Sequence, residues 1–173
     1  MENITTYSFR KLFIQTIIYG LLLGLFLGTM NVLDYTVGFH EQNRIINNLK
    51  YLLRILGLLT CVVMFRKKIG GYISFEMVFV FSMFAFVFAM FICDTMVCIT
   101  FNIYPELLHN KIEIMRTTLL NAGISNRLVE ISASSSLWVT NPYYVIFSFL
   151  VWVLFVGPVL SFVFALMMQK YKI

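Results

Sequence analysis

A chain of 173 residues that is 60% hydrophobic and 12% charged, with a mean hydropathy of +0.87, carries too few charges to clothe a soluble surface. A soluble globular domain is excluded, and an integral membrane protein is indicated. The net charge of +5 is spread over several short links, so it reports topology and gives no reason to expect a nucleic-acid partner.

Four apolar stretches, about 12–33, 45–65, 75–101 and 143–168, compare well with the roughly 20 residues that cross about 30 Å of hydrocarbon. The expected fold class is all-α. It is a polytopic four-transmembrane-helix bundle, one domain over 1–173, with an amphipathic helical insertion between helices 3 and 4. The first stretch follows Arg10-Lys11 as a signal peptide would. Its apolar part exceeds the usual run of about 7 to 15 residues, and Gly28-Thr29-Met30-Asn31 offers no small-residue cleavage site, so it is expected to stay as an anchor. Gly20, Gly24 and Gly28 stand four apart and form a groove that admits another helix closely. Packing against the chain's own helices is the expected use, with a homo-oligomer as the alternative.

The second stretch carries Lys50 and Arg54 on one face. Arg54 lies about 16 Å along the helix from Phe65, where an unpaired charge costs about 3 kcal/mol, so its head is expected to snorkel toward Asp94 or Asp34. In the third stretch Asp94 comes about 28 Å beyond Phe75, at the far boundary and level with Asp34 at the end of helix 1. Asp34, Lys50, Arg54 and Asp94 are therefore expected to converge as an outer polar cluster. The cluster reads either as ion pairs locking helices 1, 2 and 3 or as a vestibule open to the outside. Below Asp94, the face leading to Glu76 offers only Val80, Met83, Val87 and Met90, so a translocated ion would find no intermediate polar stop.

The connection 102–141 is not featureless. Pro105 and Glu106 suit a helix start, and Leu108, Ile112, Met115 and Leu119 recur at helical spacing until Asn121-Ala122-Gly123 ends them. Their stripe needs a cover, which is the bilayer interface, the bundle's own mouth or a partner. Ser125 suits the cap of a second short helix to about Ile131, and Ser132 to Ser136 read as a flexible run before Trp138, Tyr143 and Tyr144 re-enter the membrane. In the last stretch, Pro158 after Gly157 removes a backbone bond to Leu154 and predicts a helix kink.

Lysine and arginine gather at Arg10-Lys11, Arg66-Lys67-Lys68 and Lys170/Lys172, which places both termini and the link after helix 2 in the cytoplasm. Cys61, Cys93 and Cys98 lie in or near apolar spans without C-x-x-C spacing and behave as small hydrophobes; His40 and His109 are isolated. No disulfide framework, metal site, catalytic group or cofactor is expected.

The segments RKKIGGYISFEMVF, NIYPELL and GISNRLVEI, with the closing NPYY and a Gly-Pro helix, resemble the bacterial family known as domain of unknown function 4199. The resemblance spans nearly the whole chain. It implies a four-helix inner-membrane protein with a helical insertion, and it supplies no catalytic residues. The expected function is that of a non-enzymatic accessory or scaffold subunit in the lipid bilayer, serving an envelope enzyme such as a glycosyltransferase by analogy. The alternative is a small transporter using the vestibule around Arg54 and Asp94.

Overall fold

The protein's computed structural model describes residues 9–37, 44–71 and 73–168, with side chains placed throughout except at Phe9, Val37 and 44–50. In order the elements are α1 (Phe9–Val37), α2 (Arg44–Lys68), α3 (Phe75–Ile103), α4 (Pro105–Asn121), α5 (Asn126–Ser136), a 3-10 turn (Leu137–Thr140), α6 (Pro142–Val151), a π-helical turn (Trp152–Val156) and α7 (Gly157–Met168). The described residues are almost wholly helical.

Three rods, Arg10–Thr36, Phe75–Ile103 and Pro142–Met168, are long and apolar enough to cross a bilayer. At 27 to 29 residues each reaches about 40 Å, more than the hydrocarbon core alone. This is a membrane protein. The sequence predicts four such spans, and α2 is the one that falls outside this set. Its 25 residues are long enough, but its described side chains begin at Tyr51, and the stretch from there to Lys68 holds Arg54 and the closing Arg66-Lys67-Lys68.

α3 is the axis of the bundle, in contact with α1, α2, α4, α6 and α7. Its closest neighbour is α1, because Gly20, Gly24 and Gly28 remove every side chain from the facing seam. A Cβ built on Gly24 would stand 2.8 Å from the Ala89 carbonyl oxygen, and one on Gly20 would stand 2.9 Å from that of Ala85. Small residues thus meet small residues, Ala85 and Ala89 supplying the other side of the seam. Close backbone approach maximises dispersion contact where lipid offers no hydrophobic drive for helix association.

The end of the bundle beside the α2–α3 link is packed with apolar side chains. Val62, Phe65, Val78 and Phe81 are fully buried, and the Phe65 and Phe81 rings stack at 4.1 Å between centroids. The link turns at Gly70 and Gly71, whose φ of 92° and 89° favours glycine, and Gly71 N–H donates to Arg66 O at 3.0 Å. Ser74 then caps α3, accepting from Met77 N–H at 3.3 Å.

At the other end α4 and α5 fold down as a cap. Leu108 and Ile112 are buried with Val97, Phe101 and Ala133, while Met115, Leu107 and Tyr35 pack at the margin and Leu119 is half-buried. Of the covers open to the α4 stripe, the described structure uses the bundle's own mouth. Arg116 ties the two cap helices, donating to Glu113 at 2.6 Å and Glu130 at 2.9 Å. These acids, Glu113 first, push the guanidinium pKa further up. The serine run expected to be flexible is helical instead. Ser134 and Ser135 hydroxyls donate to Ile131 O and Ser136 to Ser132 O, while Ala133 is buried beneath, so packing and back-bonding hold the turn.

The proline signal is expressed as a π-helical turn. Pro158 has no N–H to offer Leu154, and the preceding Gly157 N–H reaches five residues back to Trp152 O. A Cβ on Gly157 would meet that oxygen at 2.6 Å, so the turn requires glycine.

Replacing Gly24 with Ala inserts a methyl group between two backbones and is expected to destabilise the bundle by about 1 to 3 kcal/mol. Thermal unfolding in mild detergent reads the loss, with Thr29→Ala at an exposed position of α1 as the control. An unchanged midpoint for Gly24→Ala would contradict the seam.

Candidate functional site

Near the cap end, polar side chains from four helices meet inside the apolar bundle. On α3, Cys93 faces α1 and Asp94 faces α6. Asn31 of α1 donates from Nδ2 to Cys93 Sγ at 3.0 Å. Asp94 Oδ2 accepts from Ser148 Oγ and from Trp152 Nε1, the latter at 3.0 Å. Both donors come from the rod that ends in α7, so this carboxyl ties that rod to α3. Phe86 meets Trp152 edge-on at 5.6 Å, and Phe91 meets Phe149 at 5.6 Å, so aromatic contacts flank the polar pair.

Arg54 enters from α2. It is half-buried, and its guanidinium stands 5.4 Å from the centre of its neighbour Tyr51. Its charge acts on Asp94, Cys93, Tyr35 and Tyr144. Among the described residues no ion pair within 4.0 Å joins Arg54 to an acid. The expected Asp94–Arg54 pair is therefore replaced by hydrogen bonds from α6 and the π turn. The physical reason is reach and direction: Ser148 and Trp152 stand one turn apart on the helix facing Asp94, and their short, stiff donors arrive without the entropy cost of an extended arginine.

The other predicted members divide. Asp34 is buried near Tyr35 at the end of α1 and engages further neighbours. The Lys50 side chain lies outside the described residues. Above the site, Lys111 of α4 lies over the rings of Tyr35 and Phe101 at 4.8 and 5.4 Å, tying cap to bundle through cation–π contacts. Asn102 likewise donates to Thr140 O and Cys98 O, each at 2.8 Å, which fixes the 3-10 turn to α3.

Depth also differs from expectation. Ser148 and Trp152 lie about 9 and 15 Å along the axis from Pro142, so Asp94 sits well inside the cap-end half of the span and not at its boundary. Counting about 28 Å upward from Phe75 put Asp94 at the far boundary although the apolar stretch, read as 75–101, runs on past it, in the structure to Ile103. Sequence reading also passed over Ser148 and Trp152, and took Tyr144 only as a marker of membrane entry. Their signal was present: three polar-tipped residues at four-residue spacing on one face of an apolar helix. Among the described residues no three His, Cys, Asp or Glu side chains gather as a metal would require.

A family model described as a protein of unknown function, DUF4199, matches residues 9–170. No curated protein and no solved structure matches.

Removing the Ser148 hydroxyl as Ser148→Ala should be non-additive with Asp94→Asn, with a coupling of about 1 kcal/mol in a double-mutant cycle read by unfolding in detergent. Exchanging the charges of Asp94 and Arg54 should restore nothing. Additive single effects, or rescue by the exchange, would return the carboxylate to Arg54.

Proposed function

The chain belongs to the DUF4199 family of proteins of unknown function, and from that premise we propose that it is a non-enzymatic accessory or scaffold subunit of a membrane complex. In this reading it sits in a bacterial cytoplasmic membrane, crosses it four times and keeps both termini inside. α2 supplies the fourth crossing. Its 25 residues reach about 37 Å, and its charged termini fall at the two head-group levels. The basic Arg66-Lys67-Lys68 turn marks the cytoplasmic side and the α4–α5 cap the outer side.

The observation that carries the scaffold reading is the cap. Its apolar stripe is turned inward onto Val97, Phe101 and Ala133, and Arg116 clamps α4 to α5. A fixed helical pair is thereby presented on one side of the membrane, with Leu128, Ile131, Leu137 and Trp138 exposed. An envelope enzyme, a glycosyltransferase for example, would be held by that outward face and not by the α4 stripe. The transporter reading draws support from Arg54 and Asp94 inside the span. Against it stands the Phe65–Phe81 stack, fully buried among Val62 and Val78; the buried polar side chains described at that end are the hydroxyls of Thr16, Ser82 and Ser161, with no charge among them.

Two measurements test the proposal. In a cysteine-free background, a cysteine at Ser134 should react with an impermeant thiol reagent applied from outside, and one at Lys67 should not. Leu128→Glu with Ile131→Glu should remove proteins that copurify in mild detergent while leaving the unfolding midpoint in place. Ile112→Glu with Met115→Glu should instead collapse the cap. Retention of every copurifying protein by the Leu128/Ile131 variant would overturn docking through α5.

A further inference from the structure

The link end of the bundle gathers cations that are left without anions. Lys68, the last residue of α2, donates from Nζ to Gln15 Oε1 of α1 at 2.8 Å, which sets the two helix ends side by side. Lys11 stands one turn before Gln15 on the same face of α1, with the Cβ atoms of the two about 6 Å apart. Two like charges are therefore held close together. Arg10 and Lys67 add exposed charge at the same ends, whereas Arg66 is engaged by the link, donating from Nε to Gly71 O at 2.8 Å. Among the described residues the acid at this end is Glu76, in the first turn of α3, and no ion pair joins it to any of these cations.

What these side chains have left to offer is donors. A lysine ammonium carries three N–H groups and no acceptor, so the Gln15 carbonyl oxygen faces Lys68 and the amide NH2 remains as a further donor. An oxygen-bearing anion accepts from Lys11, Lys68 and Gln15 Nε2 together and relieves the repulsion between the two lysines. One to two turns deeper the same faces become apolar: Ile14 and Ile18 follow Lys11 on α1, Met64 precedes Lys68 on α2, and all three are exposed. The depth is that of a phosphate. Lys11 is the third residue of α1 and Lys68 the last of α2, and a rod of 27 residues, at about 40 Å, sets its ends among the head groups.

We propose that Lys11, Gln15 and Lys68 form a seat for the phosphate of an anionic phospholipid, whose acyl chains lie along Ile14, Ile18 and Met64. Net charge decides among lipids. A zwitterionic headgroup brings its own cation beside two lysines, whereas one of the phosphatidylglycerol type brings none. Because the seat is made by both helices, a bound phosphate bridges α1 to α2 at the end where Leu58, Cys61, Val62 and Phe65 bury α2 in the bundle. This inference is independent of docking through the cap and of which side of the membrane the link faces.

Full-length protein in a neutral detergent is titrated with phosphatidylglycerol or phosphatidylcholine, and bound lipid is counted by native mass spectrometry. Phosphatidylglycerol should bind about thirtyfold more tightly, since each lysine at a membrane surface contributes about fivefold to holding an anionic lipid. Lys11→Gln and Lys68→Gln should each lower the preference about fivefold, and Arg127→Gln, at an exposed position of α5 in the cap, should leave it unchanged. Both lysines are exposed, and the unfolding midpoint without lipid checks that each variant keeps its fold. The unsubstituted protein supplies a second reading: added salt should erode its preference. Equal binding of the two lipids, a preference that salt or the lysine variants leave intact, or an equal loss in Arg127→Gln overturns the proposal. Displacement of phosphatidylglycerol by free glycerol phosphate overturns the lipid as the source and assigns the seat to a soluble phosphate.

Discussion

The close approach of α1 to α3 is the contact on which the remaining geometry rests. Gly20 and Gly24 lie against the backbone of Ala85 and Ala89, and Gly28 lies against Met96, so the two axes are held parallel over several turns. That spacing brings Asn31 within hydrogen-bonding distance of Cys93 and Tyr35 to 4.9 Å from Phe101. Tyr35 and Phe101 in turn form the floor on which Leu108 and Ile112 of the cap are buried. A seam made of missing side chains therefore positions residues up to about two turns beyond it. Widening it by one methyl group would displace polar site and cap together, because both are built on the same pair of helices.

Much of this was legible in the sequence. Length and apolarity identified the rods, the Pro105 start and the Asn121-Ala122-Gly123 stop gave the bounds of α4, and the glycine series marked a packing face. What escaped were pairings that depend on which helix stands beside which. Asp94 could be assigned a height by counting, but counting says nothing of azimuth, so Arg54 and Lys50 looked like natural partners while Ser148 and Trp152 did not. The serine run 132–136 misled for a related reason. Serine favours turns when its hydroxyl competes with the backbone, yet Ser134, Ser135 and Ser136 bond back along the helix that Val129 and Ala133 pin beneath the cap. Local composition lost to tertiary burial at that point.

The π-helical turn connects backbone chemistry to the site. Pro158 removes a donor, and in hydrocarbon the orphaned carbonyls cannot turn to water. Gly157 answers by reaching Trp152 O, which inserts one residue's worth of extra rotation at the level where Trp152 meets Asp94. The indole of Trp152 and its carbonyl are thus fixed by two different partners, one on α3 and one within its own rod. Gly157 is buried, with Val87 of α3 close to where a Cβ would stand, so the small residue serves the turn and the helix contact at once.

Polarity divides the bundle along its length. In the link-end half the buried polar groups are hydroxyls; Thr16 and Ser82 bond back to their own helix at Leu12 O and Val78 O and add nothing between helices. In the cap-end half the polar contacts run from helix to helix: Asn31 to Cys93, Ser148 and Trp152 to Asp94, Asn102 to Thr140. Two kinds of cohesion follow. The stacked rings of Phe65 and Phe81 hold one end by shape, and shape tolerates little movement in a packed interior. The other end is held by a few directional bonds, two of them converging on Asp94 Oδ2, and each depends on the helix positions that the α1–α3 seam sets. The two ends of the bundle are therefore held in different ways, one by the shape of packed rings and the other by the direction of a few hydrogen bonds.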